Sequence, residues 1–244
     1  MKSCYQNILE SSTVTLSAGA ADASYPLYRL WDRDIGRPFK AADTSTLEIK
    51  IDQGAAPLAI DRLIVPAGHN MAGMTLDLQY SDDNVTYTSA LGAPFVQPDT
   101  GLIQKSFASS AHRYWEFAIS GTIGAAPQLA EMFLSPTSDI SPDPDFGWVP
   151  DTEWNVQNDV TAAGQDRFLE LGGPKEVRKY DMKHLSDSEA AVITALKTGF
   201  AGKKPFWFYD LDGNWYYMKA TSIYVKRSDP GQWDAHIELK QVLG

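Results

Sequence analysis

The chain has 244 residues, 43% hydrophobic and 21% charged, with a formal net charge of −10; this composition predicts globular structure, enough for one large all-β domain or two ordinary ones. Such acidity, with no basic cluster beyond Lys203-Lys204 (a solvated turn), argues against nucleic acid and anionic membrane as partners. Cys4 is the only cysteine, which rules out an intramolecular disulfide and a cysteine-built zinc site.

The first ten residues lack the apolar core of a signal peptide and no apolar run spans a bilayer, so synthesis in a reducing cytoplasm and no membrane insertion are expected. Near a flexible terminus, Cys4 has no sequence-local partner to lower its pKa and reads as a bystander. Up to Val149 the chain carries 17 acidic and 9 basic residues, a balance of −8; from Pro150 onward it carries 14 and 12, a balance of −2.

Strand signals then follow one another. Leu47, Ile49 and Ile51 alternate with Glu48, Lys50 and Asp52; Leu76, Leu78 and Tyr80 alternate with Asp77 and Gln79; Trp115, Phe117 and Ile119 alternate with Glu116 and Ala118. Ile60 to Val65 and Leu129 to Leu134 are shorter apolar runs. Turn signals at Gln53-Gly54, Gly68-His69-Asn70, Asp82-Asp83-Asn84 and Ser120-Gly121 separate them. Many short strands with regular turns predict a β-sandwich or jelly roll over residues 1–135.

The run Ser135-Pro136-Thr137-Ser138-Asp139-Ile140-Ser141-Pro142-Asp143-Pro144-Asp145 is rich in Pro, Ser and Asp and predicts a semi-rigid linker over 136–157. Trp148 and Trp154 place its far end on a surface. Beyond it, residues 158–244 predict a second β-rich domain with one helix near 186–198. Ser186 and Glu189 form a capping box, and Asp187 and Glu189 suit the positive end of the helix dipole. Ile193, Leu196 and Phe200 form the apolar stripe, with Gly199 and Gly202 as the stop. An aromatic hairpin follows from Phe206 to Met218. In the closing strand Trp233, Ala235, Ile237 and Leu239 alternate with Asp234, His236, Glu238 and Lys240. The fold class predicted is therefore mainly β, a sandwich plus an antiparallel sheet with a helix.

From Ala23 to Pro136 the order of pieces resembles the discoidin, or galactose-binding-like, family (F5/8 type C). The pieces are Tyr28-Arg29-Leu30-Trp31-Asp32-Arg33-Asp34, Thr46 to Gly54, Ile60-Asp61-Arg62-Leu63-Ile64-Val65 with His69-Asn70, Leu78-Gln79-Tyr80-Ser81-Asp82-Asp83-Asn84-Val85-Thr86-Tyr87, and Arg113-Tyr114-Trp115-Glu116-Phe117. The resemblance implies a sandwich whose loops meet a glycan, with Trp31, Arg37, Phe39, His69 and Asn70 as candidates. It also implies a structural calcium held by Asp32, Asp34 and Glu131. Ile35-Gly36-Arg37-Pro38-Phe39 departs from the family's loop, and Arg37 puts positive charge beside any cation. The blander alternatives are an Asp-rich turn in which Asp32 caps backbone amides, a left-handed Asn70, and a surface His69.

The region from Asp151 to Gly244 resembles the sheet-plus-helix domain of tailed-phage distal tail, or minor tail, proteins. The residues that carry it are Lys204-Pro205-Phe206-Trp207-Phe208, Tyr216-Tyr217-Met218, Tyr224-Val225-Lys226-Arg227 and Trp233 to Leu239. Aromatics on both faces of one hairpin exceed what a small core buries, so Phe206, Trp207, Tyr209, Trp215, Tyr217 and Trp233 are the candidate assembly interface. The alternative is that the helix and the linker tryptophans cover those faces. This resemblance implies a homo-oligomeric ring, six-fold or three-fold, in the tip of a virion tail assembled in the host cytoplasm. Its partners would be other copies of the chain, other tail proteins and a host-surface glycan.

Catalysis is not expected. His69, His112, His184 and His236 match no metal-ligand spacing, and neither a G-x-S-x-G elbow nor a P-loop occurs. Asp210-x-Asp212-Gly213-Asn214 opens like an EF-hand loop, but Thr221 stands where its closing Glu belongs, and a hairpin turn on Asp212-Gly213 explains these residues. The leading expectation is thus a structural tail-tip protein without cofactor, apart from the calcium. The alternatives are a carbohydrate-binding module and a glycan-processing accessory unit.

Overall fold

The structure, a computed structural model, describes residues 1–121, 124–141, 144, 150–154, 156–160, 166–170, 173–200 and 204–242; for 156–160, 166–170 and 200 it describes the backbone alone. The chain is mainly β, with one α-helix, Asp187–Phe200, among the described residues. It divides into two units, Cys4–Thr137 and Met1–Ser3 with Ser138–Leu243. The division differs from the 1–135, 136–157 and 158–244 reading because Lys2–Cys4 pairs with Ser138–Asp139 in the second unit's sheet, with Lys2 opposite Asp139. No local pattern announces a pairing across more than a hundred residues.

In the first unit the six-stranded sheet runs Thr13–Ala18, Leu47–Asp52, Tyr114–Ser120, Thr75–Ser81, Thr88–Ser89, with Phe95–Val96 also paired to Thr75–Ser81. The predicted alternation sets the register. Phe117 stands between Ile49 and Leu78, and Ile119 between Leu47 and Leu76, so one face of three strands is wholly apolar. A second sheet, Phe133–Ser135, Ile60–Val65 and Ile103–Ser110, adds Leu63, Val65, Ile103 and Leu134 to the same buried cluster. The sequence run Leu129 to Leu134 is broken between two short strands, Gln128–Leu129 and Phe133–Ser135.

The second unit is a seven-stranded antiparallel sheet in the order Ser138–Asp139, Lys2–Cys4, Phe206–Tyr209, Trp215–Asp229, Gln232–Gln241, Lys175–Leu185, Asp151–Glu153. Val156–Val160 and Asp166–Glu170 form a separate hairpin. The capping box forms as expected: the Ser186 amide donates to Glu189 Oε2 (2.8 Å) and the Glu189 amide to Ser186 Oγ (3.3 Å). The helix buries Ala190, Ile193 and Leu196 and runs through Gly199 to Phe200. Gly202, Trp148 and the side chain of Phe200 lie outside the described residues.

Candidate functional site

The first long loop of the sandwich, between Ala18 and Phe39, has a buried root and an exposed rim. At the root, Arg33 adopts a φ of 64°, a conformation that costs a non-glycine residue about 1–2 kcal/mol. Several contacts hold it there. Its amide donates to Glu131 Oε2 (2.9 Å), its guanidinium pairs with Glu10 and donates to the Tyr5 carbonyl (3.0 Å), and the same group lies 4.5 Å over the Phe133 ring.

This root contains two of the three expected calcium ligands. Glu131 is wholly buried; its Oε1 and Asp32 Oδ2 are both buried without a hydrogen-bond partner among the described residues. Burial pushes the Glu131 carboxyl up to about 9, and burial likewise raises Asp32. Two orphaned carboxylate oxygens are the hard donors that calcium takes, so Asp32 and Glu131 fit a cation. Asp34 does not: its Oδ1 accepts from the Gly36 amide (3.0 Å) and its Oδ2 from Arg37 Nε (2.9 Å). Among the described residues no group of three His, Cys, Asp or Glu side chains is placed to hold a metal. Asp32 Oδ1 accepts from the Asp34 amide (3.0 Å), the backbone-capping role foreseen as an alternative.

On the rim, Tyr28 is 50% exposed, the most open aromatic among the described residues of the sandwich. In the same loop Arg37 and Asp34 are ion-paired at the surface. Tyr25 follows, with Arg29 at 5.3 Å and Lys40 at 5.8 Å from its ring. Trp31 is half-buried against the core. An exposed ring beside fixed donors and acceptors can stack on a sugar face and hydrogen-bond its hydroxyls. Tyr28 was missed in the sequence because it lies inside the loop motif and outside any period.

The other glycan candidates are placed elsewhere in function. Phe39 is fully buried. His69, read above as a surface residue at its blandest, is 2% exposed. Its Nδ1 accepts from the Met71 amide (3.2 Å), so its Nε2–H donates to the Gly101 carbonyl (2.8 Å), which leaves neither ring nitrogen for a ligand. Asn70 donates to the Ala126 carbonyl (2.8 Å) and accepts from the Gln128 amide (2.7 Å). It does not adopt the left-handed conformation expected of it; Gly68 does, at φ +94°. Both residues serve to tie loops together.

The aromatic hairpin is likewise occupied within the chain. Phe206, Trp207, Trp215 and Tyr217 are between 0% and 9% exposed, while Tyr209 and Trp233 are half-buried. Phe206 and Phe208 lie on one face of their strand and Trp207 on the other, and all three are buried, so the surplus aromatic area that motivated an interface there does not exist. Trp233 Nε1 donates to Asp187 (2.7 Å) at the helix start. Among the described residues the exposed tryptophan is Trp154, 63% open, next to the edge strand Asp151–Glu153. The EF-hand-like run is a hairpin turn: the Gly213 amide donates to the Asp210 carbonyl (3.1 Å) and Gly213 has φ +81°.

No model of a known protein family matches the chain, and no curated protein matches it. Among solved structures, a chitosan-binding module derived from a chitosanase/glucanase of Paenibacillus sp. IK-5 is 18% identical, with 53% of this chain and 98% of that one covered and a TM-score of 0.45. A carbohydrate-binding module, CBM32-1, from a family 31 glycoside hydrolase of Clostridium perfringens is 19% identical over 54% of this chain and 98% of that one (TM-score 0.44). A Ruminococcus gnavus fucosidase in complex with fucose is 15% identical over 55% of this chain and 27% of its own (TM-score 0.47). With identities below 20% and TM-scores below 0.5, what those proteins bind remains a property of those proteins.

Proposed function

We propose that the chain is a recognition protein whose sandwich binds carbohydrate at the rim of the Ala18–Phe39 loop. The observation that supports this is the exposed Tyr28 ring in the same loop as the surface Arg37–Asp34 ion pair. In this reading Tyr28 stacks on a pyranose face while Arg37, held through its Nε by Asp34, donates from its outer guanidinium nitrogens to the hydroxyls. Asp32 and Glu131 hold a structural calcium under the loop, where it neutralises two buried carboxylates and fixes the rim. Glycan-array screening, then titration of the best ligand against Tyr28→Ala and Arg37→Ala, tests the reading. Binding weakened at least about tenfold by each substitution is expected, the loss of one good contact. A blank array, or a ligand indifferent to both changes, removes it.

A second reading, assembly of the C-terminal unit into a homo-oligomeric ring of a phage tail tip, is favoured by Trp154. An exposed tryptophan beside an edge strand that covers only Lys175–Val177 of the eleven-residue Lys175–Leu185 is the chemistry of an interface. Light scattering over a concentration series is the test. A discrete oligomer lost in Trp154→Ser supports assembly; an oligomer that survives the substitution, or a strict monomer, counts against it.

A further inference from the structure

One face of the seven-stranded sheet is a ladder of matched charges with a single mismatched rung. Lys179 stands opposite Glu238 with 3.7 Å between their charged atoms, Asp181 opposite His236 at 2.8 Å, and Lys226 opposite Asp234 at 3.8 Å. On the rung at the far end, Lys219 stands directly opposite Lys240. Lys240 in turn faces Val177, whose same-face neighbour two residues earlier is Lys175. Like charges directly opposed across two strands destabilise the pair, so this rung breaks the rule its neighbours keep.

The three lysines line one open pocket of about 440 Å³, together with Ala220, Thr221, Gln241 and Val242. One carboxylate reaches it: Glu153 Oε1 lies 2.7 Å from Lys240 Nζ. Glu153 belongs to the three-residue edge strand and is exposed. Glu153 also stands opposite Lys175 across the edge-strand pair, while among the described residues neither Lys175 nor Lys219 has a carboxylate within ion-pair distance. Three lysines therefore line one cavity whose ion pair among the described residues is Glu153 with Lys240, in a chain whose net charge is −10.

We infer that Lys175, Lys219 and Lys240 form a binding site for a small multivalent oxyanion. Lysines are flexible point charges that select charge over planar geometry, so the ligand class is set by two or more negative charges within one pocket. Ala220 and Val242 are the apolar part of the lining. The chain's overall negative charge is screened beyond roughly 8–10 Å at physiological salt, so it does not prevent local capture. Glu153 swings away as the anion enters.

The test uses the full chain, with inorganic phosphate and citrate as probes in calorimetry and thermal unfolding, ionic strength being held constant with KCl. The site predicts saturable binding of one anion per chain and a rise in Tm. Lys219→Gln weakens the binding by about tenfold, the loss of one charge-assisted contact. In anion-free buffer the same variant melts at or above the wild-type temperature, because the like-charge rung is relieved. Tighter citrate assigns a polycarboxylate and tighter phosphate a phosphate; either supports the site. The proposal is overturned by no effect of either anion beyond KCl, by an equal effect on Lys219→Gln, which is general salting, or by a lower Tm for Lys219→Gln without anion, which makes the lysine structural. Self-association abolished by Lys219→Gln without anion binding also overturns it, assigning the face to a second copy.

Discussion

Arg178 and Asp210 are ion-paired in the interior of the C-terminal unit, with side chains 2% and 0% exposed. The same guanidinium reaches Glu176 at 2.6 Å and Asp212 at 3.3 Å and lies 3.9 Å over the Tyr216 ring. It thereby fastens the strand Lys175–Leu185 to the turn after Phe206–Tyr209. Removing one partner of a buried pair leaves an uncompensated charge and costs about 3–5 kcal/mol, whereas replacing both by apolar groups is often neutral. Arg178→Met is thus expected to lower the unfolding free energy by that amount in urea titration, and Arg178→Met with Asp210→Leu to recover most of it. A single variant within about 1 kcal/mol of wild type would show that the pair does not hold the turn.

His69 gives the sandwich a pH-dependent component. Burial holds its pKa below the ordinary value of 6.5, and a proton on Nδ1 would face the Met71 amide that now donates to it. With the folded pKa depressed, the neutral ring's contribution is fully present above about 6.5, the unfolded value, and is lost as pH falls through the folded one. The expected outcome is a fall in Tm between pH 7 and pH 5 that is smaller in His69→Gln, whose amide can still donate to Gly101. Equal pH profiles for the two proteins would refute the assignment.

Period and turn chemistry made much of this fold legible. The alternations at Leu47 to Asp52, Leu76 to Tyr80 and Trp115 to Ile119 become strands in register, and Ser186 with Glu189 caps the helix, because each signal is local. What the sequence concealed is non-local. Lys2–Cys4 completes the sheet of the other unit, and Arg178, an ordinary strand residue by pattern, becomes a buried ionic centre. The aromatic hairpin misled for the same reason: counting rings along a strand does not say how many neighbours cover them. In the loop proposed to meet a glycan, the motif gives no sign of burial, and burial is what separates exposed Tyr28 from buried Phe39 and from His69.

Calcium should act on the sandwich through Asp32 and Glu131. Asp32 Oδ2 and Glu131 Oε1 have no partner among the described residues and are costly to bury so, and a cation that satisfies them stabilises the folded chain by mass action. A Tm higher in millimolar calcium than in EDTA is expected, with the difference abolished in Glu131→Gln. Asp34→Asn should keep the calcium response, since Asp34 is committed to Gly36 and Arg37. Calcium-independent melting of the wild type, or a response lost in Asp34→Asn, would contradict this ligand set.

Cys4 ends a strand rather than lying on a flexible terminus. Its side chain is fully buried, its Sγ lies 3.7 Å from Thr137 Oγ1, and burial pushes the thiol up to about 11. The thiolate is the reactive form, so at pH 8 the folded chain should react with a thiol reagent such as Ellman's only by opening. Expected labelling is slow in native buffer, fast in denaturant, and accelerated under native conditions by a substitution that loosens the surrounding contacts, Thr137→Val. The last change removes a hydroxyl that also donates to Asp61 Oδ1 at 2.8 Å, leaving that carboxylate with the Thr137 amide. Rapid stoichiometric labelling of the native wild type would place Cys4 at the surface and refute its burial.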